Sequence, residues 1–138
     1  MRIGLNRASW LLLILTACGG PAVNIPKGDM PEGGDWTGVW HSPQYGEMHM
    51  IQNGASVAGE YKKDEREGKI QGEADGNYMS FEWTEKRMSI SNRATVHRGQ
   101  GYFLYMVDQS NGDHIIKGRW GMNDDDSGGG EWNAYKQK

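Results

Sequence analysis

An apolar residue, a spacer, a glycine, a spacer and a second apolar residue recur four times along the chain. The four stretches are Trp36-Thr37-Gly38-Val39-Trp40, Val57-Ala58-Gly59-Glu60-Tyr61, Ile70-Gln71-Gly72-Glu73-Ala74 and Ile116-Lys117-Gly118-Arg119-Trp120. A period of two with polar spacers is the pattern of a strand with one buried face. A glycine in the middle of that face lets a ring from a neighbouring strand lie across the backbone. The four stretches are therefore expected to be inward faces of one closed sheet.

Turn residues between the repeats predict a register. Asn53-Gly54 is a strong two-residue hairpin signal; it pairs Gln52 with Ala55 and sets Met50 opposite Val57. Gly76-Asn77 pairs Asp75 with Tyr78, so that Ala74 faces Met79, Gly72 faces Phe81 and Ile70 faces Trp83. Asn111-Gly112 sets Val107 opposite Ile116 and Tyr105 opposite Gly118. A three-residue loop, Gln44-Tyr45-Gly46, pairs Trp40 with Met50, and a charged loop covers Asp64 to Glu67. All of these place the same side chains inside.

Strands are thus expected at 36 to 42, 47 to 52, 55 to 63, 68 to 75, 78 to 84, 101 to 109, 114 to 121 and 130 to 136. The fold class is all-β, an eight-stranded antiparallel up-and-down meander closed into a small barrel, which removes the exposed edges a flat meander would carry. Residues 84 to 100 are the ambiguous stretch. Met88, Ile90, Ala94 and Val96 alternate over a polar background, but no sharp turn signal divides them, and an irregular excursion is the reading adopted.

The first residues lie outside this pattern. Arg2 and Arg7 precede an apolar run, Ala8 to Leu15, that is too short to span a bilayer, which is the form of a signal peptide. It ends in Leu15-Thr16-Ala17-Cys18, which resembles the lipobox of bacterial lipoproteins, with the chain's single cysteine in the position that is acylated. The resemblance implies a leader over 1–17, a lipidated tether over 18–35 and a barrel domain over 36–138. It also implies a membrane anchor at Cys18 carrying palmitate-type chains, several of which hold a protein stably where one does not. In such lipoproteins Gly19, unlike an aspartate in that place, implies the outer membrane of the cell envelope. Gly19 to Asp35 holds Pro21, Pro26 and Pro31 and no apolar period, the composition of an extended spacer.

Gly38-Val39-Trp40 resembles the Gly-x-Trp signature that opens lipocalins and avidins, and the short glycine-marked hairpins are more similar to avidin. The likeness implies a small calycin-type barrel able to carry a ligand inside. Avidin holds biotin with Ser, Thr, Asn and Asp side chains turned inward, whereas the inward face here is nearly all apolar. An apolar molecule is accordingly the cargo this likeness implies. Trp40, Tyr61, Phe81, Trp83, Tyr105 and Trp120 are the pocket candidates, and the same rings serve equally as solid core.

Charge bears on partners. Without Arg2 and Arg7, 13 basic residues stand against 18 acidic ones, a net charge of about −5. No basic stripe of the kind that displaces counterions from nucleic acid is visible. No nucleophile elbow, phosphate loop or zinc-protease helix motif occurs, so no enzyme activity, cofactor or metal is expected. His41 is expected opposite His49 on the outer face, a pair too small for a firm metal site, and Asn123 to Gly128 lacks the twelfth-position glutamate of a calcium loop. Tyr102, Leu104 and Met106 are expected to face outward as an apolar patch, either covered by 84 to 100 or used for protein contact. Two readings remain: a non-enzymatic envelope lipoprotein whose barrel is a binding or interaction module, and a carrier of a small apolar ligand.

Overall fold

The computed structural model describes residues 26–89 and 91–138; Cys18 and its lipobox lie outside the described residues. Eight antiparallel strands run in order, β1 (Gly38–Ser42), β2 (Gly46–Asn53), β3 (Ser56–Lys63), β4 (Arg66–Asp75), β5 (Tyr78–Met88), β6 (Ala94–Val107), β7 (His114–Met122) and β8 (Gly130–Lys136). Each pairs with the next, and β8 returns to β1 to close the barrel. The closing seam is short. Trp40 pairs with Lys136 and His41 with Tyr135, and the Gln137 N–H donates to the Val39 carbonyl at 2.8 Å.

The turn at Gly76-Asn77 gives the expected register, with Ala74 opposite Met79, Gly72 opposite Phe81 and Ile70 opposite Trp83. Three other hairpins differ from expectation by two positions. Asn53 pairs with Ser56, so the loop is Gly54-Ala55 and Met50 faces Gly59. Positive φ falls on Gly54, at 62°, as the first loop residue, a glycine-first turn in place of the Asn-Gly type expected. Trp40 faces Met48, with Pro43-Gln44-Tyr45 as the loop, and Tyr105 faces Ile116, because a wider loop from Asp108 to Asp113 joins β6 to β7. A shift of two keeps every side chain on its own face, so the inside was right although the partners were not. His41 consequently faces Glu47, not His49, which lies opposite Val39.

Residues 84 to 100 are not an excursion. β5 continues to Met88 and β6 begins at Ala94, paired without a bulge from Tyr78 and Leu104 through Glu85 and His97 to Met88 and Ala94. The turn between them is closed by the Ser89 N–H donating to the Arg93 carbonyl at 3.1 Å, with Asn92 at φ 60° supplying the left-handed residue. Since the segment prolongs two strands, it does not fold over Tyr102, Leu104 and Met106.

The interior is filled in three tiers. At the end carrying the turns after β2, β4 and β6, called here the near end, Trp36 and Trp40 set their edges on the Tyr105 ring at 5.2 and 5.5 Å. In the middle Phe81 and Phe103 lie 4.6 Å apart, with Trp132 edge-on to both. At the far end Tyr61, Trp83, Trp120 and Trp132 close the barrel beneath Tyr45. The glycine and ring pairing expected of the repeats occurs chiefly at other glycines. A Cβ on Gly68 would lie 1.9 Å from the Tyr61 ring and one on Gly101 2.4 Å from Phe81, whereas Gly59 abuts Ile70 and Gly72 abuts Met79.

The stretch expected to be free spacer up to Asp35 packs on the near end from Pro26 onward. Asn77 is buried and binds both Pro26 and Gly28, Met30 packs against the core, and Trp36 is fully buried. The Lys136 Nζ donates to the Asp35 carbonyl at 2.7 Å. This N-terminal arm therefore belongs to the folded unit.

Candidate functional site

The far end brings together a group of polar and aromatic side chains. Continuing the inward alternation of β5 past Phe81 and Trp83 turns Glu85 and Arg87 to the inside of the barrel mouth. Glu85 is only 3% exposed. Its carboxylate accepts a hydrogen bond from the Tyr61 hydroxyl at 3.2 Å on Oε1 and one from Arg87 Nε at 2.6 Å on Oε2. A buried carboxylate without such partners would cost several kcal/mol. Arg87 reaches solvent with part of its side chain, so the pair links a dry acid to the wet rim.

Tyr45 covers this mouth. The loop after β1 carries its ring to 4.8 Å from Trp132 and about as far as 6.4 Å from Tyr61. Burial raises the phenols of both Tyr45 and Tyr61, that of Tyr61 well above the usual tyrosine range, where the neighbouring Glu85 charge adds to the effect. The space left among Tyr45, Tyr61, Trp83, Glu85, Arg87, Trp120 and Trp132 is about 20 Å³, room for about one water molecule.

Of the six expected pocket residues, only Tyr61, Trp83 and Trp120 meet at this cavity. Phe81 lies one tier down, and Trp40 and Tyr105 belong to the near end, where the Tyr105 hydroxyl meets His114 Nδ1 and accepts from the Asp35 N–H. Tyr45, Glu85 and Arg87 were not foreseen. Ending β5 at residue 84 hid the two charged ones, although the period of two already pointed them inward.

The outward patch is present but half-buried. Tyr102 stacks on Tyr78 at 6.1 Å, Leu104 lies between Tyr78 and Lys117, and Met106 lies opposite Ile115. Lys27 of the arm places its ammonium 3.8 Å from the centre of the Tyr78 ring. The more exposed apolar side chains are elsewhere, Val96 at 71% and Met88 at 39% among them.

Neither candidate metal arrangement assembles. His41 contacts Gln137, His49 contacts Glu47, and no group of three or more His, Cys, Asp or Glu able to hold a metal ion occurs among the described residues. In the acidic loop after β7, Asp125 accepts the N–H groups of Ser127 and Gly128, bonds that hold its carboxyl below the usual range. A concavity of about 710 Å³ is a trough on the outer wall, bordered by Glu47, Glu60, Glu67, Lys62, Lys86 and Val96, not an internal chamber.

No protein-family model, no curated protein and no solved structure matches this chain.

Proposed function

We propose that the chain is a non-enzymatic, lipid-anchored protein of the bacterial cell envelope, held at Cys18 in the outer membrane, whose barrel is a solid scaffold that presents its far end to a partner. The observation that carries this reading is the ring-filled interior, whose far-end cavity holds only about 20 Å³, against the several hundred cubic ångströms of an ordinary ligand pocket. The arm supports the orientation. Pro26 enters at the near end beside Asn77, and the eight residue steps back to Cys18 reach at most about 25–30 Å. β5 then carries the chain away from that end, its 11 residues rising about 33 Å to the hairpin tip.

The runner-up is a carrier of a small apolar ligand, for which the far-end rings of Tyr45, Trp83, Trp120 and Trp132 are the lining. Native mass spectrometry of the protein purified from envelopes separates the two. The scaffold reading expects the acylated polypeptide alone and no saturable uptake of an apolar dye; a stoichiometric apolar compound released on unfolding overturns it. Cys18→Ala is expected to release soluble protein, and a variant that stays in the membrane fraction contradicts the anchor.

A further inference from the structure

The tip of the β5–β6 hairpin leaves one sheet edge open. β6 pairs with β5 from Ala94, but with β7 only from Gly99, opposite Met122. Over Ala94 to Arg98 there is thus a strand on one side only. The Tyr105 N–H donates to Asn77 on the β5 side, and the Asn123 N–H donates to the Arg98 carbonyl at 3.0 Å from the other. Alternation along β6 then turns the main-chain groups of Ala94 and Val96 outward, away from β5. Ala94, Thr95 and Val96 are all exposed.

Open edges are pairing templates, and soluble proteins blunt them with bulges, prolines or cover. The barrel does so at its seam, where the Gln44 side chain accepts the Asn133 N–H at 3.2 Å. The β6 edge has neither a bulge nor a proline. It carries instead a local excess of positive charge. Residues 86–98 include the outward Lys86, Arg93 and Arg98 and no acidic residue, in a chain whose net charge is negative; Arg87 is taken up by Glu85, and Glu67 on β4 lies opposite Lys86. The exposed Val96 lies opposite Lys86, and the exposed Met88 opposite Ala94.

We propose that the Ala94–Arg98 edge of β6 takes an extended acidic segment of another protein as an added strand. Main-chain hydrogen bonds supply affinity in such pairing, and side chains at alternate positions supply selectivity. Charge selects the occupant. Pairing two copies of β6 would bring two sets of Lys86, Arg93 and Arg98 together, whereas an acidic strand neutralises them. The far-end placement sets the edge away from the lipid anchor, which favours a protein over the protein's own bilayer. This rests on reading the chain as an interaction module, and it names the partner class of that module.

The test uses the full chain in mild detergent with an alternating glutamate–valine peptide as probe. A glutamate–proline peptide of equal charge and phosphatidylglycerol vesicles serve as the comparisons. The expected result is slowed amide exchange at Ala94, Val96 and Arg98 with the valine peptide, none with the proline peptide, and loss of binding in Val96→Pro. Arg93→Glu with Arg98→Glu should weaken the peptide by about tenfold or more. Equal binding of both peptides, protection elsewhere, or protection by vesicles alone overturns the edge proposal. None of these outcomes bears on the scaffold reading, which fails instead if the barrel yields a bound compound.

Discussion

Asn77 and Gly28 hold each other by two hydrogen bonds, the Gly28 N–H donating to Asn77 Oδ1 at 2.8 Å and the Asn77 N–H donating to the Gly28 carbonyl at 3.0 Å. The Asn77 amide also donates to the Pro26 carbonyl at 2.9 Å. One side chain in a β-turn thereby fixes the arm to the barrel. Asn77→Ala leaves the Gly28 N–H and the Pro26 carbonyl without partners, and the expected cost is about 1–3 kcal/mol. Urea unfolding gives the magnitude, and amide exchange at Gly28 gives the place. Undiminished protection of Gly28 in the variant shows that the arm is held by something else.

A second prediction concerns Gly68, where a Cβ would stand 1.9 Å from the Tyr61 ring, beside Gly28, where nothing lies within 4 Å of one. Tyr61 is packed between Trp132 and Tyr45 and has little room to retreat. Gly68→Ala is expected to destabilise by about 1–3 kcal/mol through overpacking, and Gly28→Ala to change little. Equal melting temperatures for the two variants contradict the packing described.

The third concerns alkaline pH. Burial first, and then the Glu85 charge and hydrogen bond, raise the Tyr61 phenol in the fold, while in the unfolded chain it ionises near the ordinary value of about 10. A raised folded value means that the stabilisation is complete below pH of about 10 and is lost as pH climbs above it. Absorbance of tyrosinate should therefore appear together with unfolding for Tyr61. Tyr61→Phe should flatten the loss of stability above that pH, and an unchanged profile removes Tyr61 as its source.

Glu85 and Arg87 give the fourth. Arg87→Met strips the buried carboxylate of its cation, with an expected loss of about 1–3 kcal/mol, moderated because Arg87 is partly in water. Glu85→Gln in the same chain should restore part of it, since a neutral amide no longer needs the guanidinium. Chemical denaturation of the single and double variants gives the coupling, and strictly additive losses show that the pair is not an interacting unit.

The barrel was legible because its inside was written in a period of two, and that period survives an error of two in register. Gly76-Asn77 fixed its hairpin correctly, whereas Asn53-Gly54 misled because Asn53 stayed in the ladder and Gly54 opened the turn. The far-end site was harder to see. Glu85 and Arg87 are charged residues at inward positions, and polarity there was read as the end of a strand. Arg87 is what permits Glu85 to be inside, and no local pattern announces that compensation. The turn at Ser89 to Arg93 was missed for a related reason, since Asn92 takes the left-handed conformation without a glycine to mark it.

Site-specific photo-cross-linking in intact envelopes most directly tests the claim that the working surface lies at the far end and outside the barrel. A photoreactive residue at Val96 is set against one at Gln109, in the near-end loop after β6. The account predicts a discrete protein adduct from Val96, suppressed by Arg93→Glu with Arg98→Glu, and none from Gln109. A protein adduct from Gln109 with none from Val96 would contradict it.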